Sequence, residues 1–431
     1  MPRWTAKCAT WIVILAVALT ARLAVGAWWQ SRLGDAQKFY FGDSAGYWEL
    51  ARTIARGEPY QYLSPDARVF RAPGYPLLLS PLYSMFPGEP PVMMARVLSA
   101  VLGTVAVGVA GWWTTQLFDA RSGRIAGWIT ALYPGSVAMG VVVLSEAPFC
   151  PLMLAHLGMW GQAWRARSNR AMIGWATAAG AVGASATLVR PSWLLFAPFA
   201  IVVGLIFTGN RQRQLLSGAI MCTVLAVCML PWWIRNAQVT GRFVPTTLQV
   251  GASLYDGLNP DATGASDMSF VPRIAALEHA EDAKAGDGDI FEVRLDRRLF
   301  HESLDWARAN PGRALQLAGI KFSRIWNVWP NEPAFRGWFV RLAMLVTYVP
   351  LLSLSLVGAW RYTSRGWPYL LAWLPAVYLT LLHVTFVSSI RYREAAMMAL
   401  CVLAAGVLAD ATHRTLDKGD GLAVDRSRKT A

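Results

Sequence analysis

Long apolar runs separated by short polar loops alternate along most of the chain. They occupy 8–29, 93–117, 125–144, 147–164, 171–188, 191–207, 215–233, 338–360, 367–387 and 395–408. Runs near twenty residues can cross the hydrocarbon core as helices, so the pattern predicts about ten spans. Segment 75–86 (YPLLLSPLYSMF) is also apolar, but it is short and interrupted by Pro76 and Pro81. The polar stretches 30–92 and 234–337 are too long to be simple connections. The second contains two stretches of helical periodicity, 290–310 and 313–326, parted by Asn310-Pro311-Gly312.

The expected fold class is therefore an all-α polytopic membrane protein. Its organisation would be a first span (1–29), a first extracytoplasmic loop with juxtamembrane helices (30–92) and a transmembrane bundle (93–233). An outer loop or cap (234–337), C-terminal spans (338–409) and a cytoplasmic tail (410–431), disordered by composition, would follow.

Charge orients this arrangement. The loops 119–124 (DARSGR), 165–170 (RARSNR), 209–214 (GNRQRQ) and 361–366 (RYTSRG) are basic, as are Arg3 and Lys7 before the first run. Basic loops stay in the cytoplasm. All of them fall on that side only if 75–86 does not cross but lies on the outer surface. The first run is read as an uncleaved span rather than a signal peptide, with Arg22 snorkelling to the interface. The net charge of +14 over 431 residues, 55% hydrophobic and 15% charged, then reflects topology and not affinity for nucleic acid.

Other residue types narrow the chemistry. The five cysteines lie in or beside apolar segments, and the five histidines are scattered, so neither a disulfide nor a metal site is expected. No cofactor is called for. The many tryptophans, often paired at span ends, suit an interfacial belt.

The informative stretch is 39–76. In it Asp43, Tyr47, Leu50, Ala51 and Ile54 fall at helical spacing. Gly42-Asp43-Ser44 can serve as an N-cap, which gives Asp43 a purely local reading. Four arginines, Arg190, Arg235, Arg391 and Arg393, lie at outer ends of spans, where cations are under-represented. One such arginine is an interfacial anchor. Several on the face that bears Asp43 point to an anionic ligand. Lys321, on the 313–326 helix, is placed to reach the same ligand or to face lipid headgroups.

Asp43-x3-Tyr47-x3-Ala51, Gly57 and Arg71-Ala72-Pro73-Gly74-Tyr75-Pro76 together resemble the first outer loop of the GT-C superfamily. These polytopic glycosyltransferases use polyprenyl-phosphate sugars, as do the protein O-mannosyltransferases and the aminoarabinose lipid A transferases. Ser145-Glu146 after Tyr133-Pro134, Pro231-Trp232-Trp233-x-Arg235-Asn236 and Arg391-Tyr392-Arg393 extend the resemblance over most of the membrane body. It implies that Asp43 is the catalytic residue and that the donor is a polyprenyl-phosphate sugar. The acceptor would be a hydroxyl of a glycan, lipid or protein.

Such a transfer needs one base and positive charge for the departing phosphate, not the two carboxylates of glycoside hydrolysis. Asp43 is the expected base, and Arg391, Arg393, Arg190, Arg235 and Lys321 are candidates for the donor phosphate. Glu146 and Tyr47 would position the acceptor or assist. The reaction would invert the anomeric carbon at the outer face of a membrane, the resemblance implying a bacterial inner one. A transporter or flippase of lipid-linked sugars is the alternative; the absence of internal repeats with paired broken helices argues against it.

Overall fold

The structure, a computed structural model, describes residues 3–34, 38–282, 289–332 and 336–429; the side chains of 3–7, 281–282 and 413–429 lie outside that description. Within it the chain is helical and no strand is present. The membrane body contains α1 (Arg3–Arg32), then, after α2 (Gly42–Arg56) and α3 (Gly74–Met85) of the first loop, α4 (Val92–Leu117) and α5 (Ala120–Leu132). It continues through α6 (Pro134–Met139), α7 (Glu146–Arg165), α8 (Asn169–Val189), α9 (Phe196–Phe207) and α10 (Arg211–Thr240). The cap comprises α11 (Val250–Gly257), α12 (Val271–Asp282), α13 (Phe291–Ala309) and α14 (Pro311–Trp326). The body closes with α15 (Trp338–Tyr362), α16 (Trp367–Leu370), α17 (Leu374–Thr385) and α18 (Ile390–Lys429).

Among the described residues, six helices are long and apolar enough to cross a membrane: Cys8–Arg32, Val92–Leu117, Asn169–Val189, Arg211–Thr240, Trp338–Arg365 and Ile390–Thr412. The remaining expected runs are shorter, broken or less apolar. Pro191–Phe207 begins with a 3-10 turn, Pro134 divides 125–144 between α5 and α6, and 367–387 divides into α16 and α17. At the centre stands α18, in which every residue from Arg393 to Val407 is buried. A helix apolar all round must be enclosed by others. Gly358 of α15 lets the two backbones meet, since a Cβ there would lie 2.9 Å from the Leu403 carbonyl oxygen. Past the span α18 continues as helix to Lys429, through the segment whose composition suggested disorder. An established helix extends at little cost, one hydrogen bond per residue fixed.

Arg22 does not snorkel. It is fully buried and donates to the carbonyl oxygens of Ala18 (3.0 Å), Thr130 (3.1 Å) and Ala131 (3.3 Å) and to Ser136 Oγ (2.8 Å). The reason lies in Pro134, which has no N–H for the Thr130 carbonyl one turn back. Hydrocarbon offers no water to replace that donor, so the guanidinium supplies it.

With twelve residues, α3 is about 18 Å long, too short to cross. It packs its first residue against the end of α8. A Cβ on Gly74 would lie 2.7 Å from the Leu188 carbonyl and the Val189 nitrogen, so only glycine permits this seat. In the cap, α13 and α14 part where Asn310-Pro311-Gly312 requires, with Pro311 opening α14. The cap is fastened to the first loop by Glu292, whose carboxylate accepts from the Arg68 N–H (2.8 Å) and the Val69 N–H (3.0 Å). Both long polar segments therefore lie at one end of the bundle.

Candidate functional site

At that end Asp43 sits in the first turn of α2. It does not cap the helix. Phe41 occupies the cap position with no side-chain hydrogen bond, and the Asp43 carboxylate turns to the arginines instead. Arg71 Nη2 donates to Asp43 Oδ1 at 2.6 Å, and Arg391 Nη2 lies 3.7 Å from Oδ2. Arg391 Nε is also 3.0 Å from Glu146 Oε1, and Arg190 Nη1 is 3.0 Å from that same oxygen. The result is an alternating row, Arg71–Asp43–Arg391–Glu146–Arg190, in which three cations face two anions. Asp43 keeps a third of its side chain exposed, whereas Glu146 is 1% exposed.

Local structure explains each position. Asp43 and Glu146 open α2 and α7, where the helix dipole favours a carboxylate. Arg190 is the extended residue between α8 and Pro191, a conformation the following proline favours. Arg391 is the exception. It lies in the first turn of α18, where the dipole disfavours a cation, and is held by Glu146 and by the rings of Tyr392 (5.0 Å) and Phe41 (5.7 Å). The first turns of α2, α7 and α18 meet here, and helix N-termini are suited to bind anions.

Arg71 extends the row outward. It donates to Gln249 Oε1 (3.2 Å) at the head of α11 and lies over the rings of Tyr62, Phe70 and Tyr47. Burial is the largest influence and opposes its charge, but Asp43, Tyr47 and Tyr62 together outweigh burial and hold the guanidinium above its ordinary pKa. Tyr47 is buried edge-on against Tyr75 at 5.2 Å. Burial pushes its hydroxyl pKa up, so it stays protonated and serves as a platform for Arg71.

Three expected phosphate ligands are elsewhere. Arg393 is fully buried over Tyr348 at 3.7 Å, paired with Glu394 (3.3 Å) and donating to the Ile325 (3.0 Å) and Asn327 carbonyls. Arg235 donates to the Arg68 carbonyl (2.9 Å) between the rings of Tyr60 and Trp232. Lys321 is fully buried and donates to the Thr385 carbonyl (2.8 Å); burial lowers its pKa to about 8 against the opposing charge of Asp256. Each fastens one segment to another. Arg71 and Gln249 were not singled out as site residues. Arg71 was legible, as the cation heading Arg71-Ala72-Pro73 in the Asp43 loop, but nothing in the sequence marks Gln249. His383 stacks on Tyr392 (4.0 Å, 5°) behind the row. Among the described residues no group of three His, Cys, Asp or Glu side chains is placed to hold a metal ion.

This bundle of long and broken apolar helices, with two polar segments gathered at one end, is a fold found among solved structures. Among solved structures, the apo oligosaccharyltransferase of Archaeoglobus fulgidus aligns with 96% of this chain and 52% of its own, at a TM-score of 0.60 and 14% identity. AglB from the same organism, in complex with an inhibitory peptide and a dolichol-phosphate, covers 97% and 52% at 0.57 and 14%. This chain thus spans about half the length of the oligosaccharyltransferase, and the likeness establishes the fold alone. ArnT from Cupriavidus metallidurans, bound to undecaprenyl phosphate, aligns over 92% and 77% at 17% identity with a TM-score of 0.45, too low to add to the assignment. No protein-family model and no curated protein matches the chain.

Proposed function

We propose that this protein is a membrane glycosyltransferase that moves a sugar from a polyprenyl-phosphate donor to an acceptor hydroxyl on the extracytoplasmic face, with inversion. The observation that carries this reading is the row of charges, with its surplus cation and its half-open acid. The dolichol-phosphate in the AglB complex supports a lipid phosphate as the ligand of such a fold. Asp43 Oδ1 is committed to Arg71, so Oδ2 takes the proton of the acceptor hydroxyl. The hydroxyl oxygen bonds to the anomeric carbon as the carbon–phosphate-oxygen bond breaks on the opposite side. The bonding pair leaves with the polyprenyl phosphate, whose charge Arg391 and Arg190 receive.

Glu146, enclosed between those two arginines, has no free approach to an acceptor. Its role in this scheme is to set their spacing. Tyr47 supports Arg71 and Asp43 from beneath. Arg393, Arg235 and Lys321 take no part in phosphate binding.

Replacing Asp43 by Asn preserves shape and removes the base. In purified protein, turnover of lipid-linked sugar is expected to fall by about 10²–10⁴-fold, with undecaprenyl phosphate still bound. Retained turnover would remove Asp43 from the reaction. The assay in detergent, without a sealed compartment, also separates transfer from flipping, since a flippase consumes no donor there.

A further inference from the structure

Outside the charged row, the cap contains an apolar cavity of about 260 Å³ between the 62–70 segment and helices α11, α12 and α13. Phe70, Leu248, Ala252, Phe291, Leu295 and Leu299 form most of its surface. Its polar end is made by Glu292 and Asp296, whose carboxylates accept from the Arg68, Val69 and Gly251 N–H groups. Anions are therefore disfavoured in it. None of the lining elements is a span, so a polyprenyl chain held in lipid does not reach it.

One wall is shared with the site. Tyr62 and Phe70, stacked at 5.1 Å, line the cavity and carry the Arg71 guanidinium at 5.0 and 5.3 Å from their centroids. At the rim Leu63 is 67% exposed and holds a left-handed backbone (φ 56°), strained for a branched side chain. A hydrophobic side chain kept strained and in water at a cavity mouth is placed to cover an occupant. A cavity of ~150 Å³ already accommodates benzene. This one has room for a substituted ring or a short chain, but not for an oligosaccharide.

We propose that the cavity binds an uncharged aryl or short acyl group carried by the acceptor. Assignment to an acceptor rests on the transferase reading above; the binding of the apolar group does not. The test uses the full chain in lipid nanodiscs, with phenyl β-glucoside and methyl β-glucoside as probes followed by saturation-transfer NMR. The phenyl compound is expected to bind at least tenfold more tightly. Ala252→Trp, which fills the cavity, should abolish that preference, and Leu63→Gly, which relieves backbone strain and folds readily, should reduce it at least threefold. Equal affinities in the wild type, or a full preference in both variants, overturn the proposal. Undecaprenyl phosphate is titrated in parallel and should bind all three proteins. Its failure to bind the wild type would overturn the donor reading and the link to an acceptor, while the phenyl preference alone still decides the cavity.

Discussion

Arg391 and Arg393 leave one turn of α18 two residues apart and meet opposite surroundings. The first lies between two carboxylates, Asp43 and Glu146, with 19% of its side chain exposed. The second is sealed, its charge divided between Glu394 and two carbonyls. Arg22 and Lys321 belong with Arg393, each fully buried and each ending on backbone oxygen. Cations of the sealed kind supply donors that a broken helix or a loop lacks. A cation of the open kind is matched to ionised groups and left accessible, which is what an exchangeable anion requires. Position at the end of an apolar helix does not distinguish the two.

The difference can be broken by experiment. Arg393→Ala leaves Glu394 buried without its cation, with the Tyr133 hydroxyl beside it, and should cost about 3–5 kcal/mol of stability. Thermal unfolding in detergent would register the loss, and pairing the change with Glu394→Gln should recover much of it. Arg391→Ala should instead weaken undecaprenyl phosphate binding by about 10–100-fold, the equivalent of one charge-assisted contact. Exchange of these two outcomes would refute the division into open and sealed cations. Lys321→Met should cost about 1–3 kcal/mol for the lost hydrogen bond to Thr385. Its affinity for undecaprenyl phosphate should equal that of the wild type.

The smallest effect concerns an anion. Burial raises the Glu292 pKa from 4.5 to about 7, although two backbone N–H groups partly offset it. A carboxyl raised in the folded state binds protons more tightly there, so its contribution is full below pH 4.5 and declines as pH rises through 7. Amide exchange at Arg68 and Val69, corrected for intrinsic rates, should lose protection over that interval. Glu292→Gln should flatten the dependence.

The order of apolar segments, the short helix at 75–86 and the break at Pro311 were legible because periodicity and proline chemistry act locally. Asp43 and Arg391 were legible as a pair because the charge pattern assigned both to the same end of the bundle. Rotation about a helix axis was not. Arg391 and Arg393 stand two positions apart, which on a helix is about 200°, and the sequence does not say which face looks into the cavity. Arg22 was misjudged for a similar reason. Pro134 announces an unpaired carbonyl, but only the packing of α1 on α5 reveals which side chain answers it. The partnership of Arg71 with Gln249 spans two loops and left no local trace.

Because Gly74 presses directly on the last peptide of α8, the residue after that peptide, Arg190, has its height set by the first loop. A hybrid that grafts residues 30–92 from a distant homologue onto this body would inherit a misplaced guanidinium unless its own α3 also begins on a bare backbone. Swapping loops to alter specificity would then have to carry the α8 terminus along with them.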